Sequence, residues 1–305
     1  MRRIQVVWVA LWFVCLLAPA LPVYSAERGA LALIGGGFSS FAPGLWSEPI
    51  FRWIIGKAGS GHIAILSCTD QVDSWPNYFV QLGAASAEVV SLPHRFLADR
   101  PETYRTLEKA DGIFIVDSQL WQQIDLWKGT RTESAIRDHF AAGKIVAGLG
   151  EGAQILGGIL LDRVSASGTP KDFIRHPVPA TATFITDFCA FQTGVFIVPD
   201  FTWKGALPGL LNTMARYHEQ SPGSWPVGLG IDQHTALLID ETGQATVTGA
   251  GSVWIVRPTA STTTRLDSRL PPAITHITCD VMTEGYVYDL NTLEIVAVPP
   301  TSEAG

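Results

Sequence analysis

"IVAGLGEGAQILGG", residues 145–158, decides the fold. An apolar run enters a Gly-x-Glu-Gly turn and leaves at once into a second patterned stretch. The first part reads as a buried strand and the second as a helix start. A strand that turns this sharply into a helix is where many α/β hydrolytic enzymes display a nucleophile on a strained elbow. Glu151 stands at the expected tip, in place of a serine or cysteine.

Working outward, the same grammar repeats. "ALALIGGG" (30–37), "HIAILSCT" (62–69), "AEVVSLP" (87–93), "DGIFIVD" (111–117) and "KIVAGLG" (144–150) are short, rich in Val, Ile or Leu, and bounded by Gly, Pro or Asp. Such runs suit strands covered on both faces. Helical patterning lies between them near 45–57, 74–84, 102–110, 119–128 and 131–142. This alternation predicts a doubly wound, mostly parallel α/β sheet. Residues 163–190 read as loops or short strands, and a helix follows around 205–218. Segments between 227 and 256 read as short strands joined by tight turns, with Asp240-Glu241-Thr242-Gly243 as one hairpin turn. Residues 258–275 are polar and read as a surface loop, and 285–298 as a closing hairpin. Together they predict an antiparallel C-terminal extension on one domain, without internal repeats.

Composition narrows the function. The chain has 305 residues, 47% hydrophobic and 16% charged, with a formal net charge of −7. That supports a large core and argues against nucleic-acid binding, which needs a basic surface. Arg2 and Arg3 precede an apolar run to about Leu17, and small residues follow at Val23-Tyr24-Ser25-Ala26. This is the pattern of a secretory signal peptide over 1–26. The expectation is an exported protein, periplasmic or secreted, with no membrane span after cleavage. Cys68, Cys189 and Cys279 then remain: one disulfide plus a free thiol, with Cys189 and Cys279 as the pair considered, or three buried thiols.

Ligands in open α/β sheets bind beyond the carboxyl ends of the strands. Gly35–Gly37, Cys68–Asp70, Asp117–Gln119 and Glu151 occupy those ends in this reading. The glycines suit a close backbone approach or a plain tight turn. Cys68 fits a small buried side chain better than a thiol nucleophile. His234 is the remaining candidate base, although strand alternation over 231–239 turns it away from Gln233. Trp46 and Trp53, seven residues apart, suit core packing or a partner surface. The other histidines lack metal-ligand spacing, and no metal or cofactor is expected.

The opening "IGGG", "ADGIFIVDSQL" with "KGT", "IVAGLGEGAQILGG" and "VGLGIDQHTALLID…VTGAGSVWIV" together resemble the cyanophycinase and dipeptidase E group of serine peptidases. The resemblance spans roughly residues 30–257 and implies a class I glutamine amidotransferase-like fold. It divides the chain into a signal peptide (1–26), a cyanophycinase-like domain (27–257), and a loop and hairpin packed on it (258–305). In that family the elbow reads Gly-Thr-Ser-Ala-Gly-Ala, a glycine pair after the fourth strand helps form the oxyanion hole, and a His-Phe pair supplies the base. Carried over, the nucleophile position falls on Glu151 and the oxyanion-hole positions on Asp117 and Ser118. The base position falls on Asp200, beside Phe201, and the late carboxylate on Gln233. The family's arginines near that helix become Lys204 and Ala206.

Each replacement removes a different part of acyl transfer, since a carboxylate has no hydroxyl proton to yield and is a poor nucleophile toward amides. The resemblance, together with the N-terminal signal pattern, therefore implies an exported protein inactive as a serine peptidase. A peptide-like or cationic ligand would be held by Gly36, Gly37, Asp117, Gln119, Glu151, Gly152, Asp200 and Gln233. Two alternatives stay open: an active hydrolase of β-aspartyl or cyanophycin-type substrates with a rearranged site, and a structural exported domain. The oligomeric state also stays open, a dimer included.

Overall fold

The computed structural model describes residues 28–69, 72–117, 119–163 and 166–299. The signal-peptide reading of residues 1–26 lies outside them. β1 (Leu31–Ile34), α1 (Glu48–Lys57), β2 (His62–Ser67), α2 (Ser74–Gln81), β3 (Ser86–Ser91), α3 (Arg95–Ala98) and α4 (Pro101–Lys109) come first. β4 (Gly112–Asp117), α5 (Leu120–Trp127), α6 (Arg131–Ala141), β5 (Ile145–Gly150) and α7 (Glu151–Gln154) complete the wound half. These five strands are the five expected from the sequence. Their order in the sheet is β3-β2-β4-β5-β1, every neighbour parallel.

The region after the elbow holds β6 (Leu160–Leu161), α8 (Pro170–Arg175), β7 (Phe184–Ile185), β8 (Val195–Pro199) and α9 (Leu207–Gln220). Six strands follow: β9 (Val227–Ile231), β10 (Thr235–Ile239), β11 (Gln244–Gly249), β12 (Val253–Arg265), β13 (Ala273–Met282) and β14 (Val287–Asp289). β15 (Glu294–Ala297) ends the described chain elements. β10, β11, β14 and β15 extend the first sheet antiparallel beyond β1, making nine strands among the described residues.

Two expectations need correction. Residues 258–275 are not a surface loop, because β12 runs on to Arg265 and pairs with β13 across a bulge between Pro258 and Thr263. Their threonines suit a strand, and Pro258 is accommodated next to the irregularity. The 227–256 strands also divide between two sheets, since β9 and β12 join β8 and β13 in a separate four-stranded sheet. The break falls at Asp232. Its buried carboxylate accepts from the Thr202 N–H at 2.9 Å and the Ser252 hydroxyl at 2.6 Å. Residues 231–239 are therefore two strands joined by a turn.

Strand alternation sorts the core. Leu31 and Leu33 face a cluster shared with α5, α6 and the second sheet, through residues such as Trp127, Phe140, Leu229 and Ile255. Ala30, Ala32 and Ile34 face α1 and α2, where Phe51, Trp75, Phe79 and Phe114 pack edge-to-face or tilted. Such ring pairs contribute roughly 0.5–1.5 kcal/mol each beyond area burial. α9 covers the outer face of the second sheet through Leu210 and Met214 against Phe196 and Val256. Trp46 and Trp53 lie half-buried against the α1–α2 cluster, as core packing requires. Cys68 and Cys189 are buried and Cys279 is exposed on β13. The Cys189–Cys279 pairing is not formed: one thiol belongs to the inner core, the other to an outer strand.

Candidate active site

β5 delivers the chain to Gly150, whose φ of 59° and ψ of −124° lie where a side chain is strained. α7 begins at the next residue. The tip of the elbow is thus Gly150, one position earlier than expected, and Glu151 is the first helical residue. "GLGEGA" set against Gly-Thr-Ser-Ala-Gly-Ala agrees, with the serine opposite Gly150. Two neighbouring glycines make the turn tight enough. A Cβ on Gly148 would lie 2.3 Å from the Gly152 carbonyl oxygen, and one on Gly152 would lie 2.5 Å from that of Ile115. Gly152 is therefore packed closely against β4.

The Glu151 carboxylate turns toward α5, where Oε2 accepts the Leu120 N–H at 2.6 Å. The helix start has free N–H groups and a positive dipole end that favour a carboxylate there. Asp117 registers with Gly150, so the ends of β4 and β5 lie side by side as anticipated. Ser118 and Asp70 lie outside the described residues.

Asp200 follows β8 with a φ of 53°. Its N–H donates to the Gly35 carbonyl at 2.8 Å, which brings the β1 and β8 ends together. Gln233 Nε2 donates to Asp200 Oδ1 at 2.7 Å, and Lys204 Nζ lies 3.0 Å from Oδ2. Both carboxylate oxygens are thereby engaged. Gly36, with a φ of 124°, admits this group, since a Cβ there would lie 2.5 Å from Asp200 Oδ1.

These elements enclose a cleft of about 510 Å³ lined by Gly36, Gly37, Phe38, Thr69, Trp75, Gln119, Gly150, Glu151, Asp200 and Lys204, among others. The carboxyl ends of β1, β2, β4 and β5 thus meet where the topology predicts. Gln233 enters through its bond to Asp200. His234 sits in the β9–β10 turn with its ring 5.1 Å from Trp46, backing Gly37 and not lining the cleft. Cys68 points into the core. Phe38 and Trp75, their rings 4.5 Å apart, were not anticipated; the only signal was Phe38 directly following the triple glycine. An open groove of about 840 Å³ continues past Gln119 and Glu151 to Trp121, Asp125 and Arg163.

The chemistry on offer is limited. Among the described lining residues there is no histidine or cysteine, and the one side-chain hydroxyl, Thr69, lies 3.2 Å from Ser67 Oγ. No group of three or more His, Cys, Asp or Glu among the described residues is placed to hold a metal ion. Nor does any described helix have the length and apolarity to cross a membrane. Among the described residues the cleft carries two carboxylates, one lysine and an aromatic patch beside glycine backbone. That is equipment for holding a polar chain with an apolar contact.

No family model matches the chain. It is 22% identical over 253 residues to a cyanophycinase of Trichormus variabilis, covering 78% of this chain and 77% of that protein. A cyanophycinase of Synechococcus elongatus is 24% identical over 227 residues, 71% of this chain and 64% of the relative. Among solved structures, a peptidase from an acI-B1 Actinobacterium superposes with a TM-score of 0.58 at 17% identity, covering 87% of this chain and 99% of the other. That likeness supports the mostly parallel peptidase-type fold.

Proposed function

We propose that this chain, a distant relative of cyanophycinases at 22–24% identity, is an exported binding protein without serine-peptidase chemistry. Its ligand is peptide-like and occupies the cleft at the elbow. The observation that carries this reading is Gly150. The backbone that would display a nucleophile ends in a residue with no side chain. At the position where the family's base would stand, Asp200 is engaged by Lys204 and Gln233.

A bare cation is the poorer ligand. Asp200 already has its counter-charge 3.0 Å away, and Glu151 accepts from a helix N-terminus. A peptide instead presents amides to the glycine backbone and a side chain to Phe38 and Trp75. Export rests on the charged, apolar, small-residue order of residues 1–26.

Calorimetric titration with β-aspartyl-arginine and with α-linked aspartyl dipeptides tests the reading. Binding by the wild type that weakens about fivefold or more in Phe38→Ala supports it, a loss in the range of one aromatic contact. No heat with any of these peptides, or binding indifferent to Phe38→Ala, goes against it.

A further inference from the structure

Beside the cleft, and separated from it by Lys204, lies a second cavity of about 230 Å³. Ile159, Leu160, Phe173, Phe196 and Leu210 supply its walls, and Gln154, Lys204 and Thr213 are its polar side chains. We infer that this cavity is a side-chain subsite for an aromatic or branched aliphatic residue of the peptide held in the cleft. The inference rests on the cleft reading above and names the kind of peptide it takes.

Size and lining set the occupant. A cavity of about 150 Å³ lined by Leu, Ile and Phe stays dry and accepts benzene, so the larger one here has room for a phenyl or isobutyl group. A charged side chain would lose its hydration against these walls with no opposite charge built to receive it. The one ion at the edge, Lys204, is paired with Asp200. Ala206, at the start of α9, lines this cavity with a methyl group only.

The walls are preformed. α8 starts with a capping box in which the Thr169 side chain accepts from the Asp172 N–H while the Asp172 carboxylate accepts from the Thr169 N–H. Buried Asn212 Nδ2 donates to the carbonyls of Phe173 at 3.1 Å and His176 at 2.8 Å, tying α8 to α9. The Phe173 ring then lies between two glycines, since a Cβ on either Gly168 or Gly209 would stand 3.2 Å from it. A cavity held open in this way charges no ordering cost to its ligand. Continuity points the same way: Lys204 borders both the cleft and the cavity, and Gln154 borders both the cavity and the open groove. A chain lying across the elbow passes the mouth of the cavity.

The test compares Ac-Ala-Phe-Ala-NH2 and Ac-Ala-Leu-Ala-NH2 with the Gly and Arg versions by calorimetry on the intact protein. Benzene binding is followed in parallel by NMR. Ala206→Trp blocks the cavity from the α9 side, and Ala166→Trp blocks it from the exposed rim without touching that helix. The expected result is Phe and Leu peptides bound about tenfold or more tighter than Gly and Arg peptides, as burial of one large apolar side chain allows. Both blocked variants abolish the preference while keeping the wild-type melting curve. Equal affinities in the wild type, unchanged by either block, overturn the subsite and leave the cleft reading intact. Benzene bound by the wild type and excluded by the blocks, with no peptide bound, leaves the cavity standing and overturns the peptide reading on which the subsite rests. No benzene binding overturns the cavity itself.

Discussion

Leu120 N–H donates to Glu151 Oε2 at 2.6 Å, so the carboxylate next to the elbow closes the start of α5. This makes Glu151 a stabilising group between two helix starts. Glu151→Ala is expected to lower stability by about 1 kcal/mol, the usual worth of such a cap and its dipole interaction. Glu151→Gln keeps an acceptor and loses less. Urea denaturation of the three proteins checks the order; three equal midpoints refute the capping role.

Gly150 carries its φ of 59° at no steric cost. A Cβ there meets nothing within 4 Å, so a substitution is opposed by backbone strain alone. Gly150→Ser is expected to fold but to lose about 1–3 kcal/mol, read as a drop in Tm. An unchanged Tm would mean that the elbow does not hold this conformation in solution.

His139 is buried in α6, and burial, with Lys144 nearby, pulls its pKa down from 6.5 to about 4. The sign follows from proton uptake. Above pH 6.5 neither state is protonated at His139. Between 6.5 and 4 the unfolded chain takes up a proton that the folded chain refuses. Stability therefore falls as pH drops through that window, on the order of 3 kcal/mol in full, and levels off below it. Urea midpoints at pH 7.5, 6 and 4.5 should show this slope in the wild type and a shallower one in His139→Gln. Parallel slopes would rule out His139 as the source.

The three cysteines among the described residues differ in access. Cys279 is exposed on β13 while Cys68 and Cys189 are buried, and burial also pushes the Cys189 thiol pKa up. An aromatic disulfide reagent should react with Cys279 in the native protein and with Cys189 only after denaturation, since the thiolate is the reactive form. Cys279→Ser should remove that native reaction. A Tm lowered by reducing agent would instead reveal a disulfide.

Much of the framework is legible in the residues. β1 to β5 and their helices follow from short apolar runs between amphipathic stretches, because covered parallel strands leave that pattern. The elbow follows from the glycine spacing at 148, 150 and 152. Its tip is legible only when "GLGEGA" is set against the family motif position by position, since Glu151 bears the reactive side chain of the turn while the strained residue, Gly150, bears none. Residues 258–265 also escape, because an outer strand of a second sheet can be polar on its solvent side and then looks like a loop. Asp232 escapes for a related reason. A single buried carboxylate satisfied by Thr202 and Ser252 has no local signature, yet it separates β9 from β10. The Phe173 cavity depends on contacts between α8 and α9, two segments whose proximity no local pattern announces.

The central claim is that the elbow has lost its nucleophile. Incubating the purified protein with β-aspartyl-arginine polymer and aspartyl dipeptides, and quantifying released amines, tests it most directly. The account predicts no release above the buffer rate from a protein that still binds the dipeptides. Turnover by the wild type that Glu151→Gln or Asp200→Asn abolishes would contradict it.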